Sequence, residues 1–486
     1  MRFDEIMLGK QERRKLELFQ VMSKLSLEQC TIHYLQSLTV HSYSRVKTLV
    51  ESIELDLRNF FASDLQLLDA QGIQLARLQA FRYEDYYNRL VLSGVPYMVV
   101  KAMLVAPEMD LNAFCQHYYY SPSSVKRKTA GLAAYVGEYG LKLNLAQLEL
   151  VGDERFVRMV FYSLLWLAGK QLPPEEQQVA GRPTFMGALQ PYLPNGESIA
   201  GEHQLGLLYD VCSYRFQKGH YIETPAKYET YLKRLDFTTV YPTWQATTAV
   251  QQAETDFVLY WLTAIPNFYD YTDPRLAKMV TYITQQPLNG LIQRLVDAVR
   301  SQFPEDFFWQ DTCFWGNLTN IVLLYYQVEK PVPIMFDLVR DIERPHFRTW
   351  HEAKQLFQLF FQAEAERTDA WLRACLPEMA ELLADVVEYS LKQAGQTKKL
   401  RVALIAESNV LITDQLLNFV TNLGFVEITA LNHDSQAVDA IIATSRRLIP
   451  NMFTQPSFVV QPTRQKMQDL ELYYQLVTLW YEKNQL

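Results

Sequence analysis

Over residues 1–395 apolar side chains recur every three or four positions, which is the period of helices that bury one face. One convincing strand pair interrupts that pattern. After Lys399 the pattern changes to short apolar runs separated by helical stretches, which predicts a separate α/β unit at the C-terminal end. A chain of 486 residues exceeds what one core can serve, so three to five modules are expected. Residues 166–395 divide most naturally near Met279–Pro287 into two helical modules of similar size.

Charge is unevenly spread along the chain. Residues 1–165 hold 19 Lys+Arg against 18 Asp+Glu, and the remainder holds 27 against 36. The acidic remainder would be repelled by nucleic acid, so any such contact belongs to the first third. Cys30, Cys115, Cys212, Cys313 and Cys375 lie far apart and form no CxxC, so neither a zinc site nor a disulfide framework is expected. The N-terminus lacks a signal-peptide layout, and the most apolar stretches, such as Met159–Ala168, are shorter than a membrane span. A cytoplasmic protein with no membrane partner is the expectation.

The first third carries two candidate helix-turn-helix units. In the first, Ser26 and Gln29 form a capping box, and Leu27, Thr31, Tyr34, Leu35 and Leu38 make a helical stripe. After a break at Thr39-Val40-His41, Ser42 is placed to cap a second helix that buries Val46, Leu49, Val50, Ile53 and Leu57. Its outward side carries Ser44, Arg45, Lys47 and Thr48, whose hydroxyls and cations suit phosphates and base edges. By itself the pattern also fits two simply packed helices.

The second unit has the sharper signal. Asp110 is placed to cap Leu111–His117, and Ser121 to cap a helix with Pro122 at its first position, where a missing amide costs nothing. Val125, Thr129, Leu132 and Val136 mark its buried side. Ser123, Arg127, Ala130 and Ala134 point the other way, beside Lys126. Small residues around one arginine let a helix backbone approach a groove floor. Lys126-Arg127-Lys128 supplies charge against phosphate, and Ser121, Ser123 and Ser124 supply hydroxyls. Alternating Leu141, Leu143 and Leu145, then Leu148 and Leu150, predict a hairpin turning near Ala146-Gln147, where a winged helix carries its wing.

These parts have a familiar order. The stretch Ser121–Arg158 runs from the capped helix through Tyr139-Gly140-Leu141-Lys142-Leu143 to Leu150-Val151-Gly152-Asp153-Glu154 and Arg158. With it the chain resembles the Mga/AtxA family of regulators from Gram-positive bacteria. The resemblance implies a mainly α multidomain protein: two winged helix-turn-helix domains (1–66 and 67–165), two all-helical PRD-like domains (166–282 and 283–397) and an enzyme-IIB-like α/β domain (398–486). It also implies promoter DNA as partner, self-association as a dimer or larger, and histidine phosphorylation by phosphocarriers of the phosphotransferase system.

The middle modules hold His203, His220, His346 and His351. His203 opens an apolar helix through Leu205, Leu208, Val211 and Cys212, so a phosphate there would sit near the positive end of a helix, with Arg215 as a candidate partner. His203 ranks first and His351 second, although the close spacing of each pair departs from the family's pattern.

In the last unit Leu400–Ala406, Val426–Leu431, Ala440–Thr444 and Ser457–Gln461 read as parallel strands, with a final helix through Leu470–Glu482. The loop after the first strand reads Glu407-Ser408-Asn409, where a catalytic enzyme IIB has a cysteine. Transfer chemistry is therefore not expected. The chain also lacks a Gly-rich phosphate loop, HExxH and a serine elbow, so an enzyme, a cofactor and a metal are all not expected. The leading expectation is a dimeric, promoter-binding regulator. The alternative is a phosphotransferase-system regulatory or scaffold protein that binds no DNA.

Overall fold

Helix caps written into the sequence set many of the element boundaries. The computed structural model describes residues 2–25, 27–61, 64–106, 108–178, 180–190, 199–223, 246–263, 273–276, 288–303, 311–339, 346, 348–367, 371–393, 398–405, 410–429, 438–449, 453–460 and 466–484. The first unit comprises α1 (Phe3–Met7), α2 (Lys10–Lys24), α3 (Ile32–Ser37), α4 (Tyr43–Phe61) and the short antiparallel strands β1 (Leu68–Asp69) and β2 (Gly72–Ile73). Val46, Leu49, Val50, Ile53 and Leu57 of α4 are each 0 % exposed, as their spacing predicts. Burying a side chain of this size stabilises by about 2 kcal/mol, so this stripe is a large part of the unit's core, together with Leu16, Leu18, Phe19 and Met22 of α2.

The helix expected from Ser26 begins later. Ser26 itself lies outside the described residues, and Thr31 caps α3 by accepting from the Tyr34 amide at 3.1 Å. Leu27, Tyr34 and Leu38, expected to be buried, are 40 %, 41 % and 44 % exposed. The cause is long-range. Cys30 exchanges both backbone hydrogen bonds with Ile73, at 3.0 and 2.8 Å, which holds it in extended backbone beside β1–β2. The sequence pattern does not disclose that small sheet.

The second unit contains α5 (Leu75–Leu78), α6 (Tyr83–Leu92), α7 (Val95–Val105), α8 (Leu111–Tyr118), α9 (Pro122–Lys128), α10 (Ala130–Glu138), β3 (Lys142–Asn144), β4 (Glu149–Val151) and α11 (Glu154–Gly169). Asp110 caps α8 through the Ala113 amide at 2.7 Å, and Ser121 caps α9 through the Ser124 amide at 3.2 Å. The helix expected to run unbroken past Val136 is divided at Thr129, whose φ of −95° and ψ of 7° leave the helical region. The Thr129 hydroxyl donates to the Val125 carbonyl at 2.9 Å, a bond back to the preceding turn that competes with regular helix. The predicted hairpin is present, with Leu143 opposite Leu150, and Leu141, Leu148 and Leu150 are buried.

Helices then continue through α12 (Arg182–Leu189), α13 (Ile199–Gln217), α14 (Thr248–Thr263), α15 (Leu291–Gln302), α16 (Thr312–Val328), α17 (Met335–Val339), α18 (Arg348–Arg367) and α19 (Trp371–Gln393). Buried apolar side chains from Phe3 to Val387 form one contiguous cluster, so these helices share a core with the first two units. Among the described residues no single helix is long and apolar enough to cross a membrane.

Beyond residue 398 come β5 (Leu400–Ile405), α20 (Val410–Thr421), β6 (Val426–Ile428), β7 (Ala440–Ala443), β8 (Ser457–Val459) and α21 (Lys466–Lys483). The strands pair in parallel in the order β6–β5–β7–β8. This sheet has its own apolar clusters, and Leu472 and Leu476 of α21 pack into the larger one. Tyr473 and Tyr474 on the same helix are 38 % and 62 % exposed. The loop Glu407-Ser408-Asn409 lies outside the described residues.

Candidate nucleic-acid interface

The helix-turn-helix of the second unit presents the cations as its sequence spacing predicts. Val125 and Thr129 are 0 % exposed, which turns Ser123, Lys126 and Arg127 outward, and all three are exposed. Lys128 is exposed too, and its ammonium stands 5.4 Å from the centre of the Tyr120 ring. None of Lys126, Arg127 and Lys128 has a carboxylate partner among the described residues, so their charge is available to an external anion. The hydroxyls of Ser121 and Ser123 lie 3.1 Å apart at the head of the helix, with Ser124 half-buried beside them.

Behind this helix stands the wing. Lys142 is exposed on β3, and Asn144 donates to the Gln147 side chain at 2.7 Å across the turn. The Leu111 amide donates to the Ala146 carbonyl at 3.2 Å, which ties the wing tip to the start of α8. In the first unit Ser44, Lys47 and Thr48 are exposed at the start of α4, and Arg45 is half-buried. The Thr48 hydroxyl donates to the Ser44 carbonyl at 3.0 Å, and Lys47 lies 3.9 Å from Glu51, an exposed pair of little energetic weight. The second unit therefore offers the more concentrated uncompensated positive charge.

The Gly152-Asp153-Glu154 step is where the helical modules grip the winged helix. Gly152 adopts φ +150°, and a Cβ there would come within 2.5 Å of Leu141 Cδ2, so only glycine fits the turn from β4 to α11. Asp153 caps α11 and also accepts from Lys330 at 3.1 Å. Burial would lift its pKa, but the Arg155 guanidinium overrides this and holds it at about 2. Glu154 accepts from Arg158 at 2.9 Å and from Arg215 at 2.9 and 2.6 Å. Arg158, 0 % exposed, grips both carboxylate oxygens of Glu254, one at 2.8 Å, and donates to the His220 carbonyl at 2.9 Å. Two arginines and two glutamates thus neutralise one another in the interior. The one local clue to this cluster is Arg158, an arginine inside the apolar run of α11.

The histidines fall into two kinds. His203 is exposed in α13, and His351 is exposed on α18. Arg215, expected as a partner for a phosphate on His203, is instead 2 % exposed and committed to Glu154, because the packing of α13 on α11 places it there. His220 is half-buried, with its ring 3.4 Å from Glu149 on the wing strand. Burial, then the neighbouring Arg215 charge, lowers its pKa. It borders a 760 Å³ cavity between the wing, the Met103–Asp110 segment and the end of α13. Lys218 also lines that cavity, its pKa pushed down to about 8 by burial and by Arg215. His346 stacks on Trp350 at 3.9 Å, and its Nδ1 lies 2.9 Å from Glu388. With Asp385 these donors lie within 4.8 Å of one another, the one described group with a spacing a cation would accept.

No curated protein matches the chain. Residues 79–165 match the family model described as the Mga helix-turn-helix domain, a span that runs from the turn before α6 to the interior of α11 and includes α8, α9 and the β3–β4 wing. The segment whose geometry exposes the uncompensated cations is therefore the one that matches the Mga helix-turn-helix domain, a match consistent with a Mga-family regulator.

Proposed function

We propose that this protein is a promoter-binding transcription regulator that reads duplex DNA through α9 and braces it with the β3–β4 wing. The observation that carries this reading is the outward row Ser123, Lys126, Arg127 and Lys128, exposed and without carboxylate partners among the described residues, on the short helix after a capped turn. Cations so placed release counterions from DNA, and small neighbours let the helix approach base edges. Ser44, Arg45, Lys47 and Thr48 form a second, weaker contact. The protein acts in the cytoplasm, without catalysis, and as a dimer. Parallel strand order and a partly exposed α21 support an enzyme-IIB-like domain as the association surface.

Regulation in this reading comes from phosphocarriers of the phosphotransferase system acting on the PRD-like modules. Exposure favours His203 and His351 as acceptors over His220 and His346, which are already engaged with Glu149 and Glu388. The decisive experiment measures duplex affinity over a salt series for the wild type and for Lys126, Arg127, Lys128→Ala. Each phosphate contact contributes about 0.9 to the slope of log K against log salt, so the triple variant should flatten it by about 2 to 3. An unchanged slope removes α9 as the contact.

A further inference from the structure

Three consecutive tyrosines end α8 and lead toward α9, and the structure uses them differently. Tyr118 packs its ring 4.7 Å from Phe114. Tyr120 lies beneath the Lys128 ammonium. Tyr119 projects into solvent, 94 % exposed. Its backbone is left-handed, with φ 57° and ψ 40°, and it closes α8 by donating its amide to the Cys115 carbonyl. Glycine or asparagine would adopt that conformation at lower cost. A tyrosine there bears the strain and recovers none of it by burial. In the first unit Val40, 98 % exposed, also stands in the turn before α4, without the left-handed backbone.

We infer that Tyr119 is a DNA-contacting residue whose phenol donates a hydrogen bond to a backbone phosphate beside the groove entered by α9. This inference rests on the promoter-binding reading of α9. The position supports it, because Tyr119 stands in the turn two residues before Ser121, which caps the basic helix with its hydroxyl and lies 3.1 Å from the Ser123 hydroxyl. The donor is neutral, so it displaces no condensed cation. It adds affinity without adding to the salt dependence, unlike Lys126, Arg127 and Lys128.

The test titrates a fluorescein-labelled, mixed-sequence duplex with the full chain carrying Tyr119→Gly, Tyr119→Phe or the triple alanine substitution, at several salt concentrations. Tyr119→Gly removes the ring and relaxes the backbone, so the protein should fold at least as well as the wild type yet bind about tenfold more weakly. Tyr119→Phe retains the ring and the strain but lacks the donor, and it should lose a similar factor. Both single variants should keep the wild-type salt slope. Wild-type affinity in both, alongside a weakened triple variant, overturns the role of Tyr119 alone. Wild-type affinity in all three overturns the α9 interface itself.

Discussion

The charge cluster beneath the wing gives the sharpest stability forecast. Glu254 is 0 % exposed and receives both terminal nitrogens of Arg158 as well as the Ile222 amide at 3.1 Å. Burial pulls the Arg158 pKa down and the Glu254 charge more than offsets it; a guanidinium is too basic to give up its proton in a protein, so deprotonation does not relieve a broken pair. Glu254→Gln keeps the shape and removes the charge, leaving Arg158 and Arg215 to share Glu154. Breaking a buried pair from one side costs about 3–5 kcal/mol, and the remaining glutamate places this case near 3. For a cooperative unit spanning Phe3–Val387, about 2.1 cal/mol/K of unfolding entropy per residue turns this into a Tm lower by about 4 °C. Scanning calorimetry of the full chain measures it. Arg158→Met should be comparably harmful, whereas the double variant Arg158→Met, Glu254→Met should lie closer to the wild type than either single, because Glu154 and Arg215 then balance. A Tm change under about 2 °C for Glu254→Gln, or additive losses in the double variant, would refute the argument.

Other forecasts concern the turn, the cap and a half-buried carboxyl. Gly152→Ala meets Leu141 and a φ of +150°, so chemical denaturation should show a loss above about 1 kcal/mol, and an unchanged midpoint would remove the glycine requirement. Ser121→Ala loses the bond from the Ser124 amide, costs about 1 kcal/mol, and should speed hydrogen exchange there while weakening duplex binding. Glu378 has its pKa raised to about 7 by burial and by the nearby Asp337 charge. The folded state holds that proton more tightly, so the stabilisation is full below the ordinary carboxyl range and is lost as pH rises through about 7. The wild type should therefore lose more Tm between acidic and neutral pH than Glu378→Gln, and parallel profiles would contradict this.

Much of the DNA-binding unit was legible because its determinants are local. The caps at Asp110 and Ser121, the buried spacing of Val125, Thr129, Leu132 and Val136, and the alternating leucines of the wing each act within a few residues. The break at Thr129 was less legible, since its hydroxyl can either serve a regular helix or bond back and end one. The start of α3 was misread because Cys30 answers to Ile73 and not to its own neighbours.

The sequence alone settled where cations would gather and which side of α9 would face outward, because period and capping are properties of adjacent residues. It also settled the change to a parallel α/β unit after Lys399, since apolar runs of strand length are visible without any partner. Only the tertiary structure decided what the buried charges do. Arg215 meets Glu154 across 61 residues, and Arg158 meets Glu254 across 96. No local rule selects one carboxylate among many at such separations. Helix packing brings the two together, and the cost of leaving either charge alone in the interior then holds the winged helix to the modules behind it.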